Sequence, residues 1–402
     1  MTLAIVGGTY LEFCQFPEWN EIYGSGLRAA VLARALGSEV IFHTIVGEMH
    51  LSPLKARAAN SGFTLGSVVT SPKTIAFSYT HGFSTPDIFP PSEIFEGWGL
   101  QQLKVESDVV LRFGLIEGDA QVRGKWVVYD PQDPLDAQLF SKNGSKAEHL
   151  AVICNLDEGR KMTGKHTVSE IIHELMSVEG AEAIVLKMGS RGAFVYSGGA
   201  KIHISAYETT AVWPLGSGDV FGAAFAHYWG IEKRSPEEAA ELASKTTAHY
   251  CETKILEGIT IDPCDFNKVA AKSLEKGKVV YLAGPFFSMS QIWLINEARA
   301  ALRSQGFTVF SPMHDVGRGP ASEIYEADID GIRSADVIYA CVDGLDTGTI
   351  YEIGFAKALG KPVVVFVQNE KEEDLKMLKG GGCEVEIDFV TSIYRTSWIA
   401  AK

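Results

Sequence analysis

A chain of 402 residues is too long for one ordinary core, so two domains are expected. Hydrophobic residues at 46% and charged residues at 21% exclude a disordered chain. A net charge of -14 argues against a nucleic-acid groove, which needs clustered Lys and Arg; small anionic ligands stay open, because helix N-termini bind phosphate locally.

The opening stretch, Met1 to Gly8, has no basic region and reads as a first strand rather than a signal peptide. Strands are then expected at 3–6, 40–45, 109–113, 126–129, 150–154 and 183–187, with an alanine-rich helix at 235–253. From Gly258 to Lys278, around Asp262-Pro263, the pattern weakens. The boundary belongs there, between a first domain over 1–265 and a second over 277–402. The second restarts with strands at 279–283, 308–311, 337–341 and 363–367, separated by helices at 291–304, 322–334 and 349–359. Strands alternating with helices throughout mean an α/β fold, and the second part reads as a small doubly wound parallel sheet. Apolar runs such as 363–367 are too short to cross a bilayer, so no membrane partner is expected. The scattered Cys14, Cys154, Cys251, Cys264, Cys341 and Cys383 form no CxxC pair, which suits reduced thiols in the cytoplasm. The histidines show no HxH or HExxH spacing, and no metal centre is expected.

In a doubly wound sheet, ligands bind beyond the carboxyl ends of the strands. Three segments of the second part reach that address: Tyr281-Leu-Ala-Gly-Pro-Phe-Phe287, Asp328-Ile-Asp-Gly-Ile332, and Asp343 to Glu352. The reading places Glu352 in the first turn of a helix, where the dipole favours an ionised carboxylate by about 0.3–1 kcal/mol. Such a carboxylate can attack an anomeric carbon, while a second carboxyl, Asp328, gives the leaving base its proton. The bland alternatives are a helix-capping Glu352 and a solvated Asp328.

These segments, with the D-x-G-T-x-x-E-x-G-x-A block at 346–356, resemble the nucleoside 2-deoxyribosyltransferase family over about 278–368. The resemblance implies Glu352 as nucleophile, Tyr281 as the hydroxyl that orients it, and Asp328 as handler of the base and its proton. Asp346 would touch sugar hydroxyls or help set up the nucleophile. Gly284, Pro285, Phe286 and Gly348 would lie beside the substrate, and no cofactor is implied. The superfamily includes nucleotide N-hydrolases that hold a 5′-phosphate with serines, a role open to Ser288 and Ser290, which could equally be helix caps. The family completes its pocket from a neighbouring subunit, implying a homodimer or larger; Lys379-Gly-Gly-Gly-Cys-Glu384 departs from its pattern. Transfer and hydrolysis both remain open.

In the first part, Leu215-Gly-Ser-Gly-Asp219 is a glycine turn opening a helix. Backbone N–H groups of Gly216, Ser217 and Gly218 could bind developing phosphate charge, with Asp219 accepting a hydroxyl proton. No GxxxxGK(S/T) loop occurs. With Asn155-Leu-Asp-Glu158 and Lys187-Met-Gly-Ser-Arg-Gly-Ala193, this set resembles the PfkB family of carbohydrate and nucleoside kinases over about 1–260. The resemblance implies a three-layer ribokinase-like fold, Asp219 as base, ATP and Mg²⁺ as cofactors if the domain is active, and small nucleoside, nucleotide or sugar substrates. Asn155 and Glu158 would organise Mg²⁺ and phosphates through water, and Lys187, Gly189 and Gly192 would lie near the nucleotide. The acceptor side departs: Tyr23 stands at the first glycine position, Arg28 at an asparagine, and Glu12 at the usual aspartate. Arg28 could pair with a substrate phosphate or carboxylate, or lie on the surface. Residues 211–214 intervene between Thr209-Thr210 and the anion hole. The leading expectation is a bifunctional enzyme of nucleoside or nucleotide metabolism. The alternative is a silent nucleotide-sensing or oligomerisation module joined to a nucleotide N-hydrolase.

Overall fold

The computed structural model describes residues 1–98, 101–132, 137–258, 266–269, 277–317 and 319–402. They form two compact units: one of 1–209 and 213–267, the other of 210–212 and 268–402. Most of the stretch expected to hold the boundary, including Asp262-Pro263 and Cys264, lies outside the described residues.

The first unit contains β1 (Thr2–Val6), β2 (Leu11–Phe16), β3 (Trp19–Ile22), β4 (Glu39–Gly47), β5 (Thr64–Ser71), β6 (Ala76–His81), β7 (Asp87–Phe89), β8 (Gln101–Phe113) and β9 (Gly118–Asp130). It continues with β10 (Lys146–Cys154), β11 (Ala183–Lys187), β12 (Ala193–Ser197) and β13 (Ala200–Ile204). Nine strands form one sheet in the order β13-β12-β11-β10-β9-β8-β1-β4-β5, antiparallel only at the β12 and β13 edge. Its centre is buried on both faces. On β1, Leu3 and Ile5 enter one core cluster while Ala4 and Val6 enter another. A strand covered on both sides reads as a continuous apolar run.

The expected strands at 109–113 and 126–129 are only the second halves of β8 and β9, which each run thirteen residues. Their first halves alternate: Leu103, Val105, Ala120 and Val122 point inward between polar neighbours. A second sheet, β3-β2-β6-β7, was not expected from the sequence. In its parallel β2–β6 pair, Glu12 lies opposite Phe77 and Cys14 opposite Tyr79, so these four share a face.

The second unit is a five-stranded, wholly parallel sheet of β14 (Val279–Ala283), β15 (Thr308–Phe310), β16 (Val337–Cys341), β17 (Val363–Phe366) and β18 (Glu384–Glu386). Its order, β15-β14-β16-β17-β18, is that of a flavodoxin-like sheet, with a switch point beside β14. Among the described residues, no helix is long and apolar enough to cross a membrane.

Candidate active sites

At the carboxyl ends of β14 and β16, a pocket of about 650 Å³ is lined by Gly284, Phe286, Asp328, Asp346, Gly348 and Glu352, among others. Three elements supply it. Tyr281 lies within β14, Asp328 on the Ala321–Ser334 helix, and Glu352 on the Thr347–Ala358 helix. Glu352 does not sit in the first turn of its helix, which holds no acidic residue. Asp346 takes the N-cap instead, its Oδ2 accepting from the Thr349 N–H at 2.8 Å and hydroxyl at 3.0 Å. Glu352 follows a turn later, so the dipole argument applies to it weakly.

The Glu352 carboxyl is governed by burial, which pushes it up to about 7. The Tyr281 hydroxyl donates to its Oε1 at 2.6 Å and opposes that rise, while the Asp328 and Asp346 carboxylates add to it. Tyr281 is fully buried, and burial with Glu352 beside it holds its own hydroxyl protonated, well above the usual phenol range. Asp328 is raised by burial to about 6, and its Oδ1 has no hydrogen-bond partner among the described residues. The pocket thus brings together Glu352 and Asp328, with the Tyr281 hydroxyl on Glu352; of the two carboxyls Glu352 is held the higher.

A Cβ on Gly284 would come within 2.6 Å of the Ile295 side chain and 3.2 Å of Cys341, so a larger residue would make the helix side chain give way. Pro285 is buried and does not line the pocket. Of the two roles open to Ser288, the structure shows the helix cap. It is the exposed N-cap of the Met289–Ser304 helix in a capping box with Gln291, its hydroxyl 3.1 Å from Ser290, and neither serine lines the pocket.

The first unit has its own cleft of about 510 Å³, lined by Glu12, Arg28, Phe77, Tyr79, Asn155, Glu158, Lys187, Gly216, Gly218 and Asp219, among others. The Ser217–Phe225 helix opens on Gly216 with φ 79°, in the left-handed region. Asn155 and Glu158 form a capping box on the Leu156–Thr163 helix, the Asn155 N–H donating to Glu158 Oε2 at 2.7 Å. Lys187 Nζ donates to Asp130 Oδ2 at 2.8 Å and stands 3.5 Å from where a Cβ would lie on Gly218. Gly189 and Gly192 occupy the turn after β11 and do not line the cleft.

Arg28 is not on the surface: it lines the cleft and is paired within the protein. It is 1% exposed; NH2 is paired with Glu12 Oε2, and NH1 donates to Asp219 Oδ2 at 2.6 Å. Glu12 also accepts from the Gly24 N–H at 3.0 Å. Two further participants escaped the sequence reading. Gln132 Nε2 donates to Asp219 Oδ1 at 2.6 Å, so each oxygen of Asp219 accepts one hydrogen bond. Asp130, wholly buried, is raised by burial to about 7 against the pull of Lys187, and its Oδ1 lacks a partner among the described residues. Its place at the carboxyl end of an apolar strand was a readable signal; Gln132 carried none.

Both units thus define enzyme-type clefts on parallel sheets. Residues 123–254 match the family model described as pfkB family carbohydrate kinase, and residues 280–387 match that of nucleoside 2-deoxyribosyltransferase. The chain therefore carries a kinase domain of the first kind followed by a domain of the second. Among solved structures it is similar to a fructokinase from Vibrio cholerae O395 in a form bound to fructose, ADP and calcium ion. That match has 14% identity and a TM-score of 0.50, over 64% of this chain and 94% of that one. It is also similar to a nucleoside kinase from Methanocaldococcus jannaschii, an archaeal member of the ribokinase family, with 17% identity and a TM-score of 0.47 over 64% and 93%. The first unit is ribokinase-like in fold.

Proposed function

We propose that the second unit breaks the N-glycosidic bond of a nucleoside or its 5′-phosphate by double displacement at Glu352. The observation that carries this is the 2.6 Å Tyr281–Glu352 hydrogen bond beside the unpartnered, raised Asp328 carboxyl in one pocket. In the first step a Glu352 oxygen bonds to the anomeric carbon as the C–N electrons pass to the base, which takes the Asp328 proton. In the second, water or another base attacks the same carbon, Asp328 takes the proton, and Glu352 leaves. Tyr281 aims the carboxylate and stabilises its charge.

Incubation with nucleosides and 5′-mononucleotides, with and without a second base, tests this by chromatography. New nucleosides mean transfer, free base alone means hydrolysis, and neither should occur with Glu352→Ala. Base release undiminished in that variant would end the proposal.

For the first unit we infer a nucleotide site. Gly216 to Gly218 at the helix N-terminus and Lys187 would hold the phosphates of ATP, and Asn155 and Glu158 would reach Mg²⁺ through water. The donor set fits. Asn155 and Glu158 offer oxygen donors at the cleft, the ligand type Mg²⁺ takes. Bound ATP would supply a transferable γ-phosphoryl group. Of the two expectations, one observation favours binding without transfer: Arg28 and Gln132 each hold one oxygen of Asp219, the group that would act as base. Acceptor-dependent ADP formation that is lost in Asp219→Ala would favour the kinase instead.

A further inference from the structure

The guanidinium of Arg28 lies flat in the phosphoryl-transfer centre. A Cβ on Gly216 would fall 2.2 Å from its Cζ, and its other face looks onto the Tyr23 ring, 4.9 Å from Cζ to centroid. Glu12 holds one edge and Asp219 another. Flanked by two carboxylates, and with Tyr250 nearby, the guanidinium is held charged against the cost of its burial. Its Nε is also buried, with no partner among the described residues. The group lines the cleft, but both terminal nitrogens are already engaged by carboxylates. Arg28 therefore cannot serve as a substrate clamp without first breaking two buried charge pairs, a costly change.

A phosphoryl-transfer base needs a lone pair on the attacking hydroxyl, and the anion hole needs the space above the glycine turn for the transferred group. Arg28 takes both. Positive charge beside the anion hole would still attract nucleotide phosphates, so binding and transfer come apart at this one residue.

Resting on the reading that this unit binds nucleotide, we propose that Arg28 is the residue that keeps the first unit from transferring phosphate, a built-in block on Asp219 and the Gly216 turn. Removing it would free Asp219 to take the proton of an acceptor hydroxyl. That oxygen then bonds to the γ-phosphorus while the bond from the γ-phosphorus to the bridging oxygen breaks and ADP leaves.

The test compares the full chain with Arg28→Asn, Arg28→Asn/Asp219→Ala, and Glu12→Gln/Arg28→Asn. The last covers the case in which two orphaned buried carboxylates unfold the first variant. Each is checked by circular dichroism, by titration with a non-hydrolysable ATP analogue, and for ADP release from ATP–Mg²⁺ with purine and pyrimidine nucleosides, ribose and fructose. The parent should release no acceptor-dependent ADP. Arg28→Asn or its Glu12→Gln companion should raise acceptor-dependent release to at least about 100-fold above the parent's acceptor-independent background, the scale of a restored general base, and Asp219→Ala should abolish the gain. Asp219-dependent turnover by the parent overturns the proposal, as does a folded, nucleotide-binding release variant with no turnover. Failure of every form to bind the analogue instead overturns the nucleotide-site reading beneath it.

Discussion

Tyr281→Phe removes one hydroxyl from a fully packed ring and should leave the fold intact. Its 2.6 Å bond to Glu352 favours the ionised carboxylate. Hydrogen bonds to charged groups are worth about 1.5–3 kcal/mol, or roughly 1–2 pKa units at 1.36 kcal/mol each. Without it, the Glu352 carboxyl rises from about 7 to roughly 8–9. The proposed double displacement needs Glu352 ionised and Asp328 protonated. With values of about 7 and about 6, that form is the minor singly protonated one, roughly a twentieth of the molecules near pH 6.5. The parent's kcat/KM should therefore trace a bell centred near pH 6.5. In Tyr281→Phe the productive form becomes about 10- to 100-fold rarer, and the alkaline limb moves up by about 1–2 units while the acid limb stays. Base release followed from pH 5 to 9.5 reads both. A uniform loss with no movement of the alkaline limb, or no loss at all, would refute the role given to Tyr281.

Asp328→Asn cannot deliver a proton: base release should drop about 10²- to 10⁴-fold, and the bell should become a single rise through the ionisation of Glu352, seen in the same profile. Glu117 is buried, donated to by the Tyr10 hydroxyl at 2.7 Å, and pushed up to about 7 by burial. The folded chain thus binds a proton that the unfolded chain has released, and stability is lost as pH rises from about 4.5 to about 7. Glu117→Gln should accordingly unfold at higher temperature than the parent at pH 8 and differ little at pH 5, by calorimetry. Gly216→Ala forces a Cβ to within 2.2 Å of the Arg28 guanidinium at φ 79°, and should cost the first unit about 2–4 kcal/mol in a urea titration.

The parallel strands were readable because both faces of each are apolar: β14, β16 and β11 stand where the hydrophobic runs predict them. The β3-β2-β6-β7 sheet was not, because its strands are three to six residues long and interleave apolar with polar residues. Resemblance brought Tyr281, Asp328 and Glu352 together before the structure did, though 71 residues separate the first from the last. The turn on which Glu352 sits was misread, because Asp346, not a later residue, caps the helix. Arg28 was noticed as out of place, but its ion pair spans 191 residues to Asp219 and no local pattern announces it. Packing across the cleft decides such contacts, and packing is what one strand of sequence leaves out.

The central claim is a covalent bond between Glu352 and the sugar. Acid-quenching the protein during turnover of a 2-deoxy-2-fluoro nucleoside, then mapping peptides by mass spectrometry, should find the fluorosugar as an ester on the peptide bearing Glu352, with free base released alongside. Base released with that peptide unmodified, or the ester found on Asp328 or Asp346, would contradict it.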